Sequence, residues 1–144
     1  MFRVTRRYAF AASHRLDSPQ LAPEENRALY GKCNNPFGHG HNYVLEVSAR
    51  GPLDAASQRA IDTAALDRLV SREVLADLDH RNLNTEVAAF RQAVPTTENL
   101  AVEICRRLKR HWDAAFPGAW PRLERVCIAE TARNIFVIDA DEIE

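Results

Sequence analysis

Two histidines separated by one glycine, His39-Gly40-His41, are the most informative chemical feature of this sequence. On a β-strand, side chains two positions apart point to the same face roughly 7 Å apart, so both imidazoles can reach one metal ion. His14 follows an alternating apolar segment and shares the parity of its apolar face, which makes it a candidate third ligand. Three histidines without a fourth protein ligand indicate a catalytic zinc with an open coordination position. A chance surface pair, or a structural site that also uses Cys33, is the alternative interpretation.

Cys33 lies six residues before His39, in the segment Gly-Lys-Cys-Asn-Asn-Pro. A thiol near Lys32 and a metal is expected to have a lowered pKa and could act as a base or nucleophile. The alternative is a half-buried small side chain without a chemical role. That inert interpretation applies to Cys105 and Cys127, because both fall within predicted regular elements.

The dipeptide Asp79-His80 follows the first predicted helix. A carboxylate beside an imidazole is the pairing that orients a general acid or base, although for the pair taken alone a solvated histidine at a helix end is the favoured interpretation. His111 lies within the second predicted helix and is assigned no role.

A carboxylate at Glu130 shares strand parity with apolar Val126 and Ile128. Because burying an unpaired carboxylate is unfavourable, we expect a partner, either the guanidine-type edge of a ligand or the side chain of Arg133. Three further polar residues stand where the second helix begins, and capping is their simplest role: Thr96, Thr97 and Glu98.

Hydrophobic periodicity predicts the elements that position these residues. Strands are predicted at about residues 1–12, 41–50, 123–130 and 134–139, and residues 17–38 are predicted to form a long loop. Helices are predicted from Asp62 or Thr63 to near Asp79, and after Pro95 with Thr96 or Thr97 as the cap. Since strands and helices are segregated along the chain, the predicted class is α+β, with an antiparallel sheet and helices on one face. The open sheet edges favour pairing between subunits.

Length, composition and charge restrict the classes of protein to which this sequence can belong. The 144 residues are 46% hydrophobic and suit a single domain over residues 1–144. A net charge of -1 argues against nucleic-acid or anionic-membrane partners, and no segment is long and apolar enough to span a membrane. Three cysteines without a disulfide-like spacing predict a reducing, cytoplasmic location.

Five segments, taken in order along the chain, resemble the pyruvoyl-tetrahydropterin synthase family. They begin at Ala11, Gly31, Leu78, Pro95 and Ala129, and read AASHRL, GKCNNPFGHGHNY, LDHRNL, PTTEN and AET. Each segment alone is a weak signal, but five in the same order span nearly the whole chain.

The resemblance implies the tunnelling fold (T-fold), with the order ββααββ, a four-stranded antiparallel sheet and two helices on one face. It also implies a homohexamer made of two stacked trimers, in which neighbouring subunits can share an active site. Matched position by position, the family's pattern assigns zinc (Zn2+) binding to His14, His39 and His41. It assigns proton transfer to Cys33, Asp79 and His80. Pterin binding is assigned to Glu130 together with Thr96, Thr97 and Glu98.

The implied reaction converts 7,8-dihydroneopterin triphosphate to 6-pyruvoyl-tetrahydropterin, a lyase step of tetrahydrobiopterin synthesis that eliminates triphosphate. Arg15 or Lys32 could bind the triphosphate. One alternative is 6-carboxytetrahydropterin synthase of queuosine synthesis, which releases acetaldehyde. Its members typically place three residues between the cysteine and His-Gly-His, whereas this chain has five, which favours the pyruvoyl product. The other alternative is a zinc and pterin binding module without catalysis.

Overall fold

A five-stranded sheet of order β3-β1-β2-β4-β5 forms the centre of the computed structural model, which covers residues 1–144. Its strands are β1 (Phe2–His14), β2 (His39–Gly51), β3 (Arg81–Asn82), β4 (Arg122–Ala129) and β5 (Ile135–Asp139). The pairs β1–β2, β2–β4 and β4–β5 are antiparallel, as predicted. The prediction of four strands omits β3, which runs parallel to Ala12 and Ser13 of β1. A strand of two residues has no alternation that a sequence could reveal.

Strands β1 and β2 pair along their whole length, from Phe2 opposite Gly51 to His14 opposite His39. This register confirms the predicted pairing of the two segments across the long connection. It also places His41 opposite Ala12, so that the three histidines lie at one end of the hairpin. Because side chains alternate along each strand, His14, His39 and His41 all project to the face that carries the apolar core.

The helices are α1 (Pro23–Tyr30), α2 (Thr63–Val70), α3 (Ala76–Leu78), α4 (Leu83–Glu86) and α5 (Thr97–Ala115). A π-helical turn, Ser71–Leu75, joins α2 to α3, so the first predicted helix exists with a local irregularity. Asp62 and Thr96 are the N-caps, and their side chains accept hydrogen bonds at 3.1 Å from the backbone amides of Ala65 and Asn99. Both predicted helix starts are therefore confirmed.

The prediction of an irregular loop over residues 17–38 is wrong in part, because α1 and a 3₁₀ turn (Gly31–Asn34) lie within it. Pro23 occupies the first helical turn, where a missing N–H is harmless. The carboxylate of Glu25 accepts a hydrogen bond at 3.0 Å from the amide of Ala22. Residues that look like helix breakers in the sequence thus initiate a short helix.

The core lies between the helices and one face of the sheet. Buried strand residues such as Leu45, Val47 and Ile128 belong to the same apolar cluster as Ile104 and Leu108 of α5. The opposite face of the sheet is polar and carries ion pairs such as Arg7 to Glu46, with Nη2 2.9 Å from Oε2. This arrangement confirms helices on one face of the sheet. None of the helices is both long and apolar enough to cross a membrane.

Candidate metal centre

The ring nitrogens of three histidines converge at the end of the β1–β2 hairpin. His41 Nε2 lies 3.2 Å from His14 Nε2 and 3.1 Å from His39 Nε2. His14 is buried, and His39 and His41 are half-buried. One N–H cannot satisfy three ring nitrogens this close to one another, and the arrangement is typical of side chains that share a metal ion.

The spacing of these nitrogens fits zinc. Zinc–nitrogen bonds of about 2.0–2.1 Å in a tetrahedral site place ligand atoms about 3.3 Å apart. The Nδ1–H of His14 donates to the carbonyl of Pro95 across 2.9 Å, which leaves the Nε2 lone pair directed toward the other two imidazoles. Such an outer hydrogen bond holds a metal-binding histidine in one orientation and one tautomer.

Burial is the main cause that lowers the pKa of both His14 and His41, and the neighbouring imidazoles lower it further. The negative charge of Glu130 opposes this shift in both residues, as does the bond to Pro95 in His14. The neutral imidazole is therefore favoured, which is the form that binds a metal.

These shifts predict a pH dependence of stability for the protein from which any metal has been removed. Histidines of the unfolded chain gain protons below a pH of about 6.5, whereas His14 and His41 in the folded chain resist protonation. The unfolded state then binds more protons, so the free energy of unfolding falls as the pH drops, by up to about 1.4 kcal/mol per pH unit for each histidine. Denaturant unfolding between pH 7.5 and 5, in roughly half-unit steps around that ordinary histidine value, measures the slope. The slope should be smaller in the His14→Asn variant. An equal slope in the two proteins would contradict the assignment of this pH dependence to His14.

The thiol of Cys33 lies in the 3₁₀ turn, 2.9 Å from His39 Nε2. Its sulfur and one nitrogen from each of the three histidines all lie within 4.8 Å of one another. Burial raises the pKa of the Cys33 thiol, and the charge of Glu130 raises it further. The expected lowering of this pKa by Lys32 is not found, because burial and the charge of Glu130 dominate the surroundings of the thiol. The part of the expectation that remains is a lowering of the pKa by a bound metal ion.

The carboxylate of Glu130 has the imidazoles as neighbours. Its Oε1 lies 3.1 Å from His41 Nε2 and 3.7 Å from His14 Nε2, and 12% of the side chain is exposed. The alternative partner, Arg133, forms no ion pair with it. A carboxylate on an apolar strand face thus opens onto the histidine cluster, where a ligand could approach it.

Asp79 and His80 contact β1 rather than the histidine cluster. Asp79 Oδ1 accepts from the amide of Ala11 across 2.9 Å, and the amide of His80 donates to the carbonyl of Ala11 across 2.6 Å. The His80 side chain is 82% exposed, and its Nε2 lies 3.7 Å from Asp79 Oδ2. Neither residue contacts Cys33, so the structure does not bring the three members of the predicted proton-transfer group together within this chain.

The segment before α5 contacts the histidine cluster through a backbone carbonyl. Thr96 caps the helix, Thr97 is buried, and Glu98 is exposed in the first turn. The preceding carbonyl, that of Pro95, orients His14. Sequence reasoning missed this carbonyl, because a backbone acceptor leaves no signal in residue types. It also missed Tyr43, whose ring centre lies 5.5 Å from that of His41 and whose buried hydroxyl has no hydrogen-bond partner.

Of the two residues suggested for triphosphate, Arg15 already has protein partners. Its Nε donates to the carbonyl of Asn34 across 3.3 Å, and its Nη2 lies 3.6 Å from Asp17 Oδ1. Lys32 is exposed and forms no ion pair within the chain, so it is the freer of the two.

Gly38 holds the turn before His39 against β1. Its φ is +69°, and an added Cβ would lie 2.4 Å from the carbonyl oxygen of His14. We therefore expect Gly38→Ala to displace His14, to destabilise the fold by more than about 1 kcal/mol and to weaken any metal binding by the histidine cluster. Thermal unfolding and bound-metal analysis measure both effects.

Gly31 supplies the matched control, because its φ is +53° but an added Cβ would meet nothing within 4 Å. Gly31→Ala should show backbone strain alone, with zinc binding retained. Equal losses of zinc in the two variants would argue against a specific contact between Gly38 and His14.

Known proteins are similar to this chain over almost its whole length. The family model described as 6-pyruvoyl tetrahydropterin synthase matches residues 3–141. Two relatives are named 6-pyruvoyl tetrahydrobiopterin synthase: one from Drosophila melanogaster, 46% identical over 132 residues (92% of this chain and 76% of the relative), and one from Homo sapiens, 42% identical over 135 residues (94% and 89%). The structure of Caenorhabditis elegans 6-pyruvoyl tetrahydropterin synthase superimposes with a TM-score of 0.85 at 39% identity, covering 96% of this chain and 94% of that one.

Proposed function

Since the chain belongs to the 6-pyruvoyl tetrahydropterin synthase family and is therefore a lyase, we propose that it converts 7,8-dihydroneopterin triphosphate to 6-pyruvoyl-tetrahydropterin. The observation that carries the proposal is the convergence of three histidine nitrogens beside the thiol of Cys33. The names of the relatives favour the pyruvoyl product over the carboxy product. So do the five residues between Cys33 and His39.

His14, His39 and His41 would hold zinc through their Nε2 atoms, whose spacing suits that ion. When bound, zinc would acidify and orient the side-chain hydroxyls of the substrate. The Pro95 carbonyl keeps His14 in the tautomer that can take part, and burial keeps the imidazoles neutral.

Cys33 takes the role of the base. As a thiolate it removes a proton from the substrate side chain, and triphosphate leaves with the electrons of the broken carbon–oxygen bond. Its sulfur is 2.9 Å from His39 Nε2, so it stands at the edge of the centre where those hydroxyls would bind. The carboxylate of Glu130 anchors the pterin by accepting two N–H groups from its guanidine-type edge, and Thr96, Thr97 and Glu98 line the same pocket.

Asp79 and His80 complete the proton transfer at the site of a neighbouring subunit. This assignment is supported by their hydrogen bonds to Ala11 of β1, away from the Cys33 of their own chain. Assembly is supported by the sheet edge at β5, where Ile135 and Val137 are 58% and 57% exposed. We propose a homohexamer built as a dimer of trimers, which sedimentation analysis of the purified protein tests directly.

The decisive experiment incubates the purified protein with 7,8-dihydroneopterin triphosphate and analyses the products by mass spectrometry. The expected result is 6-pyruvoyl-tetrahydropterin and inorganic triphosphate without acetaldehyde. Release of acetaldehyde would instead identify the carboxytetrahydropterin reaction. Binding of the substrate without consumption would refute catalysis and leave a zinc and pterin binding module.

Removal of zinc separates a catalytic site from a structural one. All three histidines lie on one hairpin whose strands are paired from end to end, so the fold does not depend on the metal to join its elements. Treatment with a chelator should abolish turnover while a cooperative thermal transition persists, and added zinc should restore turnover. Unfolding at room temperature on chelation would contradict an open catalytic site.

A further inference from the structure

A short extended segment, Arg15–Asp17, continues the chain directly after His14 and is bound on both sides. On one side, the amide of Leu16 donates to the carbonyl of Cys33 across 2.7 Å. On the other side, the side-chain amide of Asn84 bonds both to the amide and to the carbonyl of Arg15, at 2.7 and 2.8 Å. The segment therefore links the turn that carries the thiol to the strand that carries His14.

Asn34 makes this link through its side chain. It is a buried polar residue, and its Nδ2 donates to the carbonyl of Leu16 across 2.7 Å and to Asp17 Oδ1 across 2.9 Å. Both protons of the amide group are thereby satisfied, and both bonds end on the segment after His14. Leaving a buried amide without hydrogen-bond partners costs free energy. The two bonds of Asn34 therefore favour the one position of the turn in which both are made.

Further along the connection to β2, the backbone at Gly38 packs against the carbonyl of His14. Cys33 precedes both Asn34 and Gly38 in the chain, and its sulfur lies 2.9 Å from His39 Nε2. Without the Asn34 side chain, only the backbone bond from Leu16 to Cys33 and the bond from the Arg15 side chain to the carbonyl of Asn34 would hold the turn to this segment. The sulfur would then be freer to move relative to the histidines, which Gly38 and the hairpin pairing keep in place.

We propose that Asn34 is a positioning residue for Cys33, holding the thiol beside the histidine cluster by tying its turn to Leu16 and Asp17. The inference rests on the proposed function, which makes Cys33 the base. It adds a residue that does not touch substrate and acts only through the position of the sulfur.

Asn26 offers a matched control in the same part of the chain. It is also buried, its Oδ1 accepts from the amide of Ser18 across 2.7 Å, and its Nδ2 donates to the carbonyls of Ser18 and Leu21 at 3.0 and 3.3 Å. None of these contacts involves the Cys33 turn or β1. Asn26→Ala removes a comparable set of buried hydrogen bonds without releasing the thiol.

The experiment compares Asn34→Ala with Asn26→Ala in the zinc-loaded protein. For Asn34→Ala we expect kcat to fall by about tenfold to a hundredfold with KM and zinc content unchanged, because a misplacement of about 1 Å costs a reaction that much. Iodoacetamide alkylation, followed by peptide mass mapping, should be faster at Cys33 and unchanged at buried Cys105. For Asn26→Ala we expect wild-type kcat and wild-type alkylation at Cys33.

A purely structural role for Asn34 would give a different pattern, with Cys33 and Cys105 alkylated faster together, or with equal loss of kcat in the two variants. Either result would overturn the proposal. If Asn34→Ala does not fold, Asn34→Asp removes both donated bonds with little change of shape. Asn34→Asp combined with Asp17→Asn restores one of the two bonds, with the amide now donating from position 17, and leaves the bond to Leu16 broken. The double variant should return Cys33 alkylation toward the wild-type rate, and wild-type alkylation in Asn34→Asp alone would overturn the proposal. Because alkylation needs no turnover, a wild-type protein that does not consume the pterin refutes the proposed function separately.

Discussion

Replacement of Cys33 by alanine is expected to lower kcat by about a hundredfold to ten-thousandfold, the range that a positioned general base contributes. Three imidazoles remain in place, so zinc content should stay at the wild-type level. The thiol is only half-buried, so the melting temperature should change little. Single-turnover kinetics and metal analysis of the same preparation measure these effects together.

Cys127→Ala is the control for that variant, since Cys127 is also a half-buried thiol but lies on β4 and outside the histidine cluster. It should retain full turnover. Unchanged turnover in Cys33→Ala would show that the thiol is not the base. A parallel loss of zinc would show instead that the sulfur is a metal ligand, as its distance of 2.9 Å from His39 Nε2 also permits.

Replacement of His41 by alanine is expected to remove both the metal and the activity. His41 Nε2 is the nitrogen that lies close to both other histidines, at 3.2 and 3.1 Å, so its loss leaves two donors. Zinc affinity should fall by more than the roughly tenfold to hundredfold that loss of an outer hydrogen bond costs a metal site. Turnover should fall to background at any zinc concentration that does not refill the site. Competition with a zinc-binding dye measures the affinity.

His111 provides the matched histidine, because it lies on α5 with Nε2 3.2 Å from Glu73 Oε2 and takes no part in the cluster. His111→Ala should bind zinc as the wild type does. Full zinc content in His41→Ala would exclude the three-histidine centre.

The alternation of apolar residues was enough to predict the β1–β2 hairpin and the polar outer face of the sheet. Burial on one face of a strand imposes a period of two, which is visible in any single sequence. Helix caps were equally readable, since an N-cap oxygen such as that of Asp62 bonds a backbone amide only three positions away. Such signals depend only on residues close together in sequence, so they can be recognised without knowledge of the fold.

Elements without periodicity could not be predicted in this way. Helix α1 is hidden among turn-forming residues, and β3 exists only because Arg81 and Asn82 meet the end of β1. The expected effect of Lys32 on the pKa of Cys33 was wrong for a related reason. Lys32 is its neighbour in sequence, but burial and the charge of Glu130, 97 positions away, dominate its surroundings.

By itself, the sequence determined which residue types could bind a metal, accept a proton and anchor a ligand, and it determined the strand faces on which they lie. Only the tertiary structure decided that the Nε2 atoms of His14 and His39 lie within 3.2 Å of His41 Nε2, and that Glu130 turns toward them. It also decided that Asp79 and His80 bond to Ala11 of β1. Distances between side chains depend on strand register and on long-range hydrogen bonds such as that of Asn34 to Leu16. These contacts join residues far apart in the chain, and no pattern of neighbouring residues encodes them.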